Sequence, residues 1–573
     1  FCLSRGLGDV YKRQDIMTST EGADLLVNAA YAALGGPEGQ SWSVWCHPTS
    51  NWTYGEVRSD NAYKGGGGVG DLNEVHRMET FDMDATNGFL DSKWYHLYCS
   101  VQRCNSALRV LNAATDEQVN GRVSRIAEMK VLRAHYYFEL SRLFNKIPYF
   151  DENVEISQYP DIPNNEFTRD EILSMLAKEM LDAAELLPAS QSEVGRIHKY
   201  IALAYAAKIK LYQAYQQDET THAVTSINKE LLREVVSLCD QVTASNRYGL
   251  LDDFQGLDLV ANENGKESVF AIQYSMNDGT ESAGRINWSN LLNSPGGGSP
   301  YGGDGFFLPS QDLINAYQTD ANGLPDFNYQ SKSDYSWAVL NNGVYTLQNT
   351  TPNVDPRLDF VVGRPTITWK TYPDKPCEGW VRDKDTYGYN CAKRFWVSPE
   401  SSDMFNGWPW GASQLNWQII RYADILLWKA EALIELNEGN GLETARDLIN
   451  QIRNRARNSA YVKDFNDHSK YAANYLVNPY PADVWNQDYA RQALRWETRL
   501  EKALEGERFF DLVRWGIVET TMNKYITAES DNRIYYANAH FTGGKDEYYP
   551  VPNNQYGFSG GKYVQNPGYA PFN

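Results

Sequence analysis

The chain has 573 residues, enough for two or more domains or for one large helical domain with long insertions. Its 53 basic residues face 73 acidic ones, a formal charge of −20 without any basic stripe, which excludes a nucleic-acid footprint and argues against docking on anionic lipid. Aromatic residues make up 13%, with 38 Tyr and 16 Trp, more than core packing usually demands.

Residues Phe1–Gln14 lack the apolar run of a signal peptide and share no pattern with the rest of the chain. They read as a foreign or mis-assembled leader and are set apart from the fold. Helical periodicity then dominates both ends of the chain. Residues 92–112 place Trp94, Leu97, Tyr98 and Val101 on one face, and 122–144 form a nearly all-round apolar helix. Further helices are predicted over 169–187, 198–217 and 229–245, then over 420–437, 442–457, 488–505 and 507–519. Short connections join several of them, so neighbours are expected to pack as antiparallel pairs of tetratricopeptide type, with small Ala residues allowing close approach. Trp94, Trp428, Trp496 and Trp515 fall on helices and read as core.

Between 251 and 418 the texture changes. Short strand-like runs such as SVFAIQY and ITW alternate with Gly-, Pro- and Asn-rich loops, including NSPGGGSPYGGDG. A stretch of that length without helices is unusual unless it is functional, and its aromatic richness speaks against disorder. It reads as a loop-rich, short-stranded insertion, with 41–90 as a smaller aromatic counterpart. The fold class is therefore mostly α. One domain is expected over 15–573, with a helical part at 15–250, the insertion at 251–418 and a second helical part at 419–573.

Seven cysteines are too sparse for a disulfide scaffold; the spacing leaves a Cys377–Cys391 bridge open. Nothing reads as a transmembrane helix, for want of about 18 consecutive apolar residues. Eight histidines show no HExxH and no pair at ligand spacing, and no nucleophile elbow occurs, so no catalytic residues and no resident cofactor are assigned. The Gly65–Gly68 run lacks the Lys-Ser/Thr of a phosphate cradle and reads as a flexible loop. The Asp-rich loops DFNYQSKSD and VRDKDTYGYN offer oxygen ligands for calcium without the spacing of a recognised calcium loop. In RFFDLVRWG, 508–516, the rings read as core, and Arg508, Asp511 and Arg514 as charges that fix helix ends and loops. Glu497, Arg499, Glu501, Arg453 and Arg455 read the same way.

Several stretches, in order along the chain, resemble the RagB/SusD family: TSTEGADLLVNAAYAAL, GEVRSDNAYKGG, IAEMKVLRAHYYFELSRLFNKIPYF, DPRLDF, RYADILLWKAEAL, INQIRNRA, RLEKALEGERFFDLVRWG, and finally YYPVP with QNPGY. The resemblance runs from about 18 to 573. It implies a SusD-like helical superhelix, a cell-surface position on a lipid anchor at the outer membrane, and a role in capturing oligosaccharide for a SusC-type TonB-dependent transporter. It implies binding rather than catalysis. The family's lipobox should precede the first helix, but Cys2 stands in no such context, so the true N-terminus with its anchor is expected to be missing.

The resemblance also places the family's binding surface on an early loop and on mid-chain loops. The corresponding rings here are Trp52 and Tyr63, then Trp288, Tyr301 and Trp337, with Asn287 and Asp304 beside two of them as hydroxyl partners. Gly and Pro around these rings prevent regular helix, and loops run over the surface, so the five are expected to share one shallow, solvent-facing patch. A tetratricopeptide-type lid that binds protein or peptide is the alternative function.

Overall fold

The computed structural model describes residues 19–35, 44–280, 284–336, 338–341, 344–347 and 352–572, with backbone only at 44 and 338–347. The leader Phe1–Gln14 and the ring of Trp337 lie outside the described residues. By its contacts the chain divides into two compact units, each drawn from separate stretches of the sequence. Of the described residues, those within 19–49, 84–246 and 543–572 form the first and those within 50–83 and 247–542 the second.

The first unit is a run of helices: α1 (Thr20–Ala32), α2 (Gly88–Ala113), α3 (Arg122–Phe144), α4 (Arg169–Leu186), α5 (Lys199–Ala214) and α6 (Lys229–Ala244). Consecutive helices from α2 onward pack on one another, the pairing expected of tetratricopeptide-like repeats. Local chemistry sets their starts. Asn87 accepts from the Phe89 and Leu90 amides, Asn228 from those of Glu230 and Leu231, and Thr168 forms a reciprocal cap with Glu171. Helix α3 is buried almost all round from Ala127 to Phe144, which is why its sequence lacks a polar stripe. Its buried Arg133 is neutralised by Glu152 and Glu179. The chain terminus finishes this helix. The Tyr549 amide donates to the Leu143 carbonyl at 2.8 Å, and Asn566 Nδ2 donates to the Phe144 carbonyl at 2.7 Å. YYPVP and QNPGY thus satisfy carbonyls that a helix end leaves without partners.

The second unit is built around α7 (Tyr422–Leu436), α8 (Gly441–Asn458) and α9 (Gln487–Glu501), whose inner faces share a core that includes Leu426, Ile434, Ile449, Ile452 and Leu494. Asn437, left-handed at φ 51°, ends α7 and opens the turn into α8. The single helix predicted over 507–519 is two, α10 (Arg508–Arg514) and α11 (Val518–Glu529). Gly516 separates them at φ +67°, a conformation that costs other residues more. Two antiparallel strand pairs tie in the loop-rich stretch. β1 (Ala62–Gly65) pairs with β3 (Phe306–Pro309), setting Tyr63 opposite Leu308, and β2 (Ser268–Ile272) pairs with β4 (Trp417–Arg421). The sequence between 251 and 418 is therefore bonded at both ends into the unit that holds α7–α9. Among the described residues no helix is long and apolar enough to cross a membrane.

Candidate functional site

The rings expected on one shallow patch separate by burial. Trp52 is 1% exposed, in the π-helical turn Trp52–Val57, with its ring 5.7 Å from Phe307 and 6.3 Å from Phe306. Tyr63 is also 1% exposed. Its hydroxyl donates to Glu529 Oε2 at 2.6 Å and accepts from the Gln311 amide at 2.9 Å. Tyr301, 4% exposed, donates to the Val397 carbonyl at 2.7 Å and accepts from Trp369 Nε1 at 2.9 Å. These three are anchors that hold their loops to the core, and the expectation that they face solvent is corrected. The physical reason is that each ring finds apolar partners or a bonded hydroxyl far away in sequence, which composition does not disclose. Trp337, the fifth ring, falls outside the described residues.

Asn287 is corrected as well, and Asp304 keeps a half-buried carboxylate. Asn287 is buried and fully engaged: its amide nitrogen donates to the Leu415 carbonyl at 2.6 Å, its carbonyl accepts from the Ser289 amide at 2.9 Å, and its backbone amide donates to the Ser413 carbonyl at 2.8 Å. It staples the 287–289 loop to residues 413–415. Asp304 is half-buried, and its backbone carbonyl accepts from Arg382 Nη1 at 2.9 Å.

That staple sets the position of the remaining ring. Trp288 is half-buried and meets Trp408 edge to face, centroids 5.8 Å apart and planes at 66°. Trp408 belongs to a hairpin-like loop whose sides are joined by the Met404–Ser413 bridge and by the Phe405 amide donating to the Ala412 carbonyl at 2.8 Å. The tip reads Gly407-Trp408-Pro409-Trp410-Gly411. Trp408 and Trp410 are 49% and 48% exposed, so nearly half of each large ring faces solvent. Ser294 Oγ donates to the Trp410 carbonyl at 2.7 Å. Gly411, at φ +74°, lies so close to Ser294 and Tyr301 that a Cβ there would stand 2.6 Å from Ser294 Cβ. Tyr301 thus supports the hairpin from below instead of contacting a ligand. Trp408 and Trp410 are the residues missed in the sequence. A Trp-Pro-Trp tripeptide between two glycines is a turn that cannot bury both rings locally, and it was the available signal.

The charged motifs are internal. In GEVRSDNAYKGG, Asp60 is gripped by Arg508, with Nε and Nη2 at 2.8 and 2.9 Å from its two oxygens. Arg499 donates to Asn61 Oδ1 at 2.9 Å and to Asp312 Oδ2 at 2.8 Å. Burial opposes ionisation of Asp60, but Arg499 and Arg508 outweigh it and hold the carboxyl down at about 2. Arg357 bridges Glu497 at 2.7 Å and Glu501 at 3.2 Å, Arg421 bridges Glu267 at 2.8 Å and Glu501 at 3.0 Å, and Arg455 also meets Glu501. Arg514 meets Glu431 and, at 2.9 Å, Asp511. These buried charges compensate one another and hold helices together, as expected from the sequence.

The Gly65–Gly68 loop is wrapped around a cation of its own: Lys64 Nζ donates to the carbonyls of Gly65 at 3.0 Å, Gly68 at 2.8 Å and Asp71. The loop read as flexible is thus held by these bonds. Three of the carboxylates in the two Asp-rich loops meet protein partners. Asp326 meets Lys332, Asp334 accepts from Asn315 and Asn532, and Asp383 caps the short helix Lys384–Tyr387. Among the described residues no group of three or more His, Cys, Asp or Glu side chains is placed to hold a metal ion. Cys377 and Cys391 are free thiols, so the bridge left open by the spacing is not formed; Cys391 is buried and Cys377 exposed.

Residues 266–569 match the model of the SusD family, and residues 49–211 match a model described as starch-binding associating with outer membrane. A SusD-like protein of Bacteroides ovatus is 22% identical over 457 residues, covering 76% of this chain and 67% of that relative. The crystal structure of a SusD homolog from Bacteroides thetaiotaomicron superposes with a TM-score of 0.70 at 17% identity, covering 98% of this chain and 99% of its own. Surface glycan-binding protein A from the same species, solved in complex with laminarihexaose, gives a TM-score of 0.61 at 19% identity and covers 96% of this chain and 99% of its own.

Proposed function

The chain belongs to the SusD family, and from that premise we propose that it captures glycan at the outer surface of the cell by stacking sugar rings on Trp288, Trp408 and Trp410. The carrying observation is the pair of half-exposed indoles at the 404–413 tip with a third indole set against them. Large rings held out in water on a braced hairpin offer flat apolar faces to the C–H faces of sugars. Each stacked ring contributes about 1 kcal/mol by analogy with other aromatic contacts. Two or three such rings together supply about 2–3 kcal/mol, less than the about 4 kcal/mol of a millimolar complex, so stacking alone gives weak capture, which suits a protein that hands its ligand on. In this reading the recipient is a SusC-type TonB-dependent transporter, the protein is held at the outer membrane by a lipid anchor, and the glycan is bound without being cleaved. The complex of a structural neighbour with laminarihexaose and the outer-membrane description of the second family model support it.

The test is a panel of polysaccharides cast into native gels and run with the purified protein. Retardation by at least one, with no release of reducing ends on prolonged incubation, is the expected result. Unchanged migration across the panel, or release of sugar by protein free of contaminating hydrolases, overturns the reading.

A further inference from the structure

We infer that the tryptophan platform selects uncharged glycans and rejects sulfated or uronic-acid-rich ones. The inference rests on the glycan reading above and concerns the electrostatics of the same site. The described residues 274–280 and 284–305, with Trp288, and 398–418, with the hairpin, build the platform. Among these residues the carboxylates are Asp278, Asp304, Glu400 and Asp403, and the single cation is Arg285. Arg285 is already turned to a partner, with Nη1 3.4 Å from Asp278 Oδ2. Asp304 has Arg382 beside it, but Glu400 stands exposed on the approach to the hairpin.

Asp403 is built into the hairpin base. Its carboxylate accepts from Gln414 Nε2 at 2.7 Å and from Ser401 Oγ at 3.2 Å. Behind it Glu263 accepts from the Asn416 amide at 2.6 Å. Burial pushes Glu263 up to about 7, against the Asn416 amide bond and with a smaller push from the charge of Asp403. The polar residues flanking Trp288 in the chain, Asn287, Ser289, Asn290 and Asn293, are uncharged and buried, so they bring no cation to the indoles. A ligand sulfate or carboxylate brought to these indoles meets the field of several carboxylates in a chain of formal charge −20, answered by two guanidiniums that already face carboxylates, Arg285 turned to Asp278 and Arg382 to Asp71. A neutral sugar face meets none of this repulsion. Anion-selective recognition would instead place unpaired Arg or Lys forks beside the rings.

The experiment runs the full chain in native gels containing neutral polysaccharides (laminarin, soluble starch, galactomannan) and anionic ones (polygalacturonate, alginate, carrageenan). The neutral polymer that binds best is then compared with its own sulfated derivative by calorimetry. The expected result is retardation by a neutral polymer and at least about tenfold weaker binding of the sulfated form at low salt, with the gap closing as salt shortens the screening length to about 3 Å. Replacement E400K narrows the gap at low salt. Equal or tighter binding of the sulfated form, or retardation by anionic polymers alone, overturns this inference and leaves the glycan reading standing. Retardation by none of the polymers overturns the glycan reading itself, and this inference with it.

Discussion

Trp288 and Trp408 stand 120 positions apart in the chain, yet their rings meet edge to face at 5.8 Å because Asn287 bonds its loop to the strand leaving the hairpin. The arrangement separates binding from stability. Replacing Trp408 or Trp410 by Ala removes a ring that is about half in water, so each is expected to weaken glycan binding by about 1 kcal/mol or more while barely changing the unfolding midpoint. Calorimetry with the best ligand of the gel panel, alongside thermal melts, checks both halves. A variant that binds as tightly as the parent removes that ring from the site.

The buried rings are expected to behave in the opposite way. Trp52→Ala and Tyr301→Ala each empty a core position and should cost about 3–5 kcal/mol of stability in denaturant titrations. Tyr301→Ala also undercuts the hairpin through Gly411, so its loss of binding should accompany its loss of stability. Full stability in either variant would contradict the burial of its ring.

Asn287→Ala removes the side-chain bond to the Leu415 carbonyl and those from the Ser289 amide and hydroxyl, without touching a ring. Each is worth about 1 kcal/mol, and the backbone groups it served are left without partners. Glycan affinity is expected to fall because Trp288 loses its register with Trp408. Intrinsic tryptophan fluorescence of the unliganded variant reports the displacement directly, and an unaltered spectrum with unaltered affinity argues against the staple.

Acid should loosen the grip of α9 and α10 on the 55–61 segment. Asp60 has a folded pKa near 2, below its unfolded value of 3.8, so its contribution is present above pH 4 and is lost as pH falls through 2. Asp60→Asn should lower stability at pH 7 and flatten the decline between about pH 4 and 2 relative to the parent. Urea titrations at pH 7 and pH 3 decide it; a parallel decline in both proteins excludes Asp60 as the source.

Glu529 works with the reverse sign. Burial raises its carboxyl to about 7, and its proton helps it face Asp312 while it accepts from Tyr63. Its contribution is fully present below the unfolded value of 4.5 and disappears as pH rises through about 7. Glu529→Gln keeps the neutral form at every pH, so its stability relative to the parent should grow between about pH 5 and 8, by about 3 kcal/mol at most. A constant difference across that range rules the titration out.

The helices were legible in the sequence because their signals are local. Asn87, Thr168 and Asn228 cap the amides two or three residues on, and the face that each helix buries recurs along its own stretch. The family pattern was legible too, and the structure explains its charges: Asp60, Arg499 and Arg508, or Glu501 with its arginines, are bonded partners that composition alone marks only as acidic and basic. The site was legible only as a texture of rings among glycines. Trp52 and Trp408 both sit in turns, and only the Trp-Pro-Trp between glycines at 407–411 hints at a local difference. Trp52 is buried because Phe306 and Phe307 arrive from a strand some 250 residues later, whereas Trp408 remains half in water at the tip of its hairpin. Turn chemistry is written in neighbouring residues, but the burial of a ring depends on which distant surface the fold brings to it, and that was decided by the tertiary structure alone.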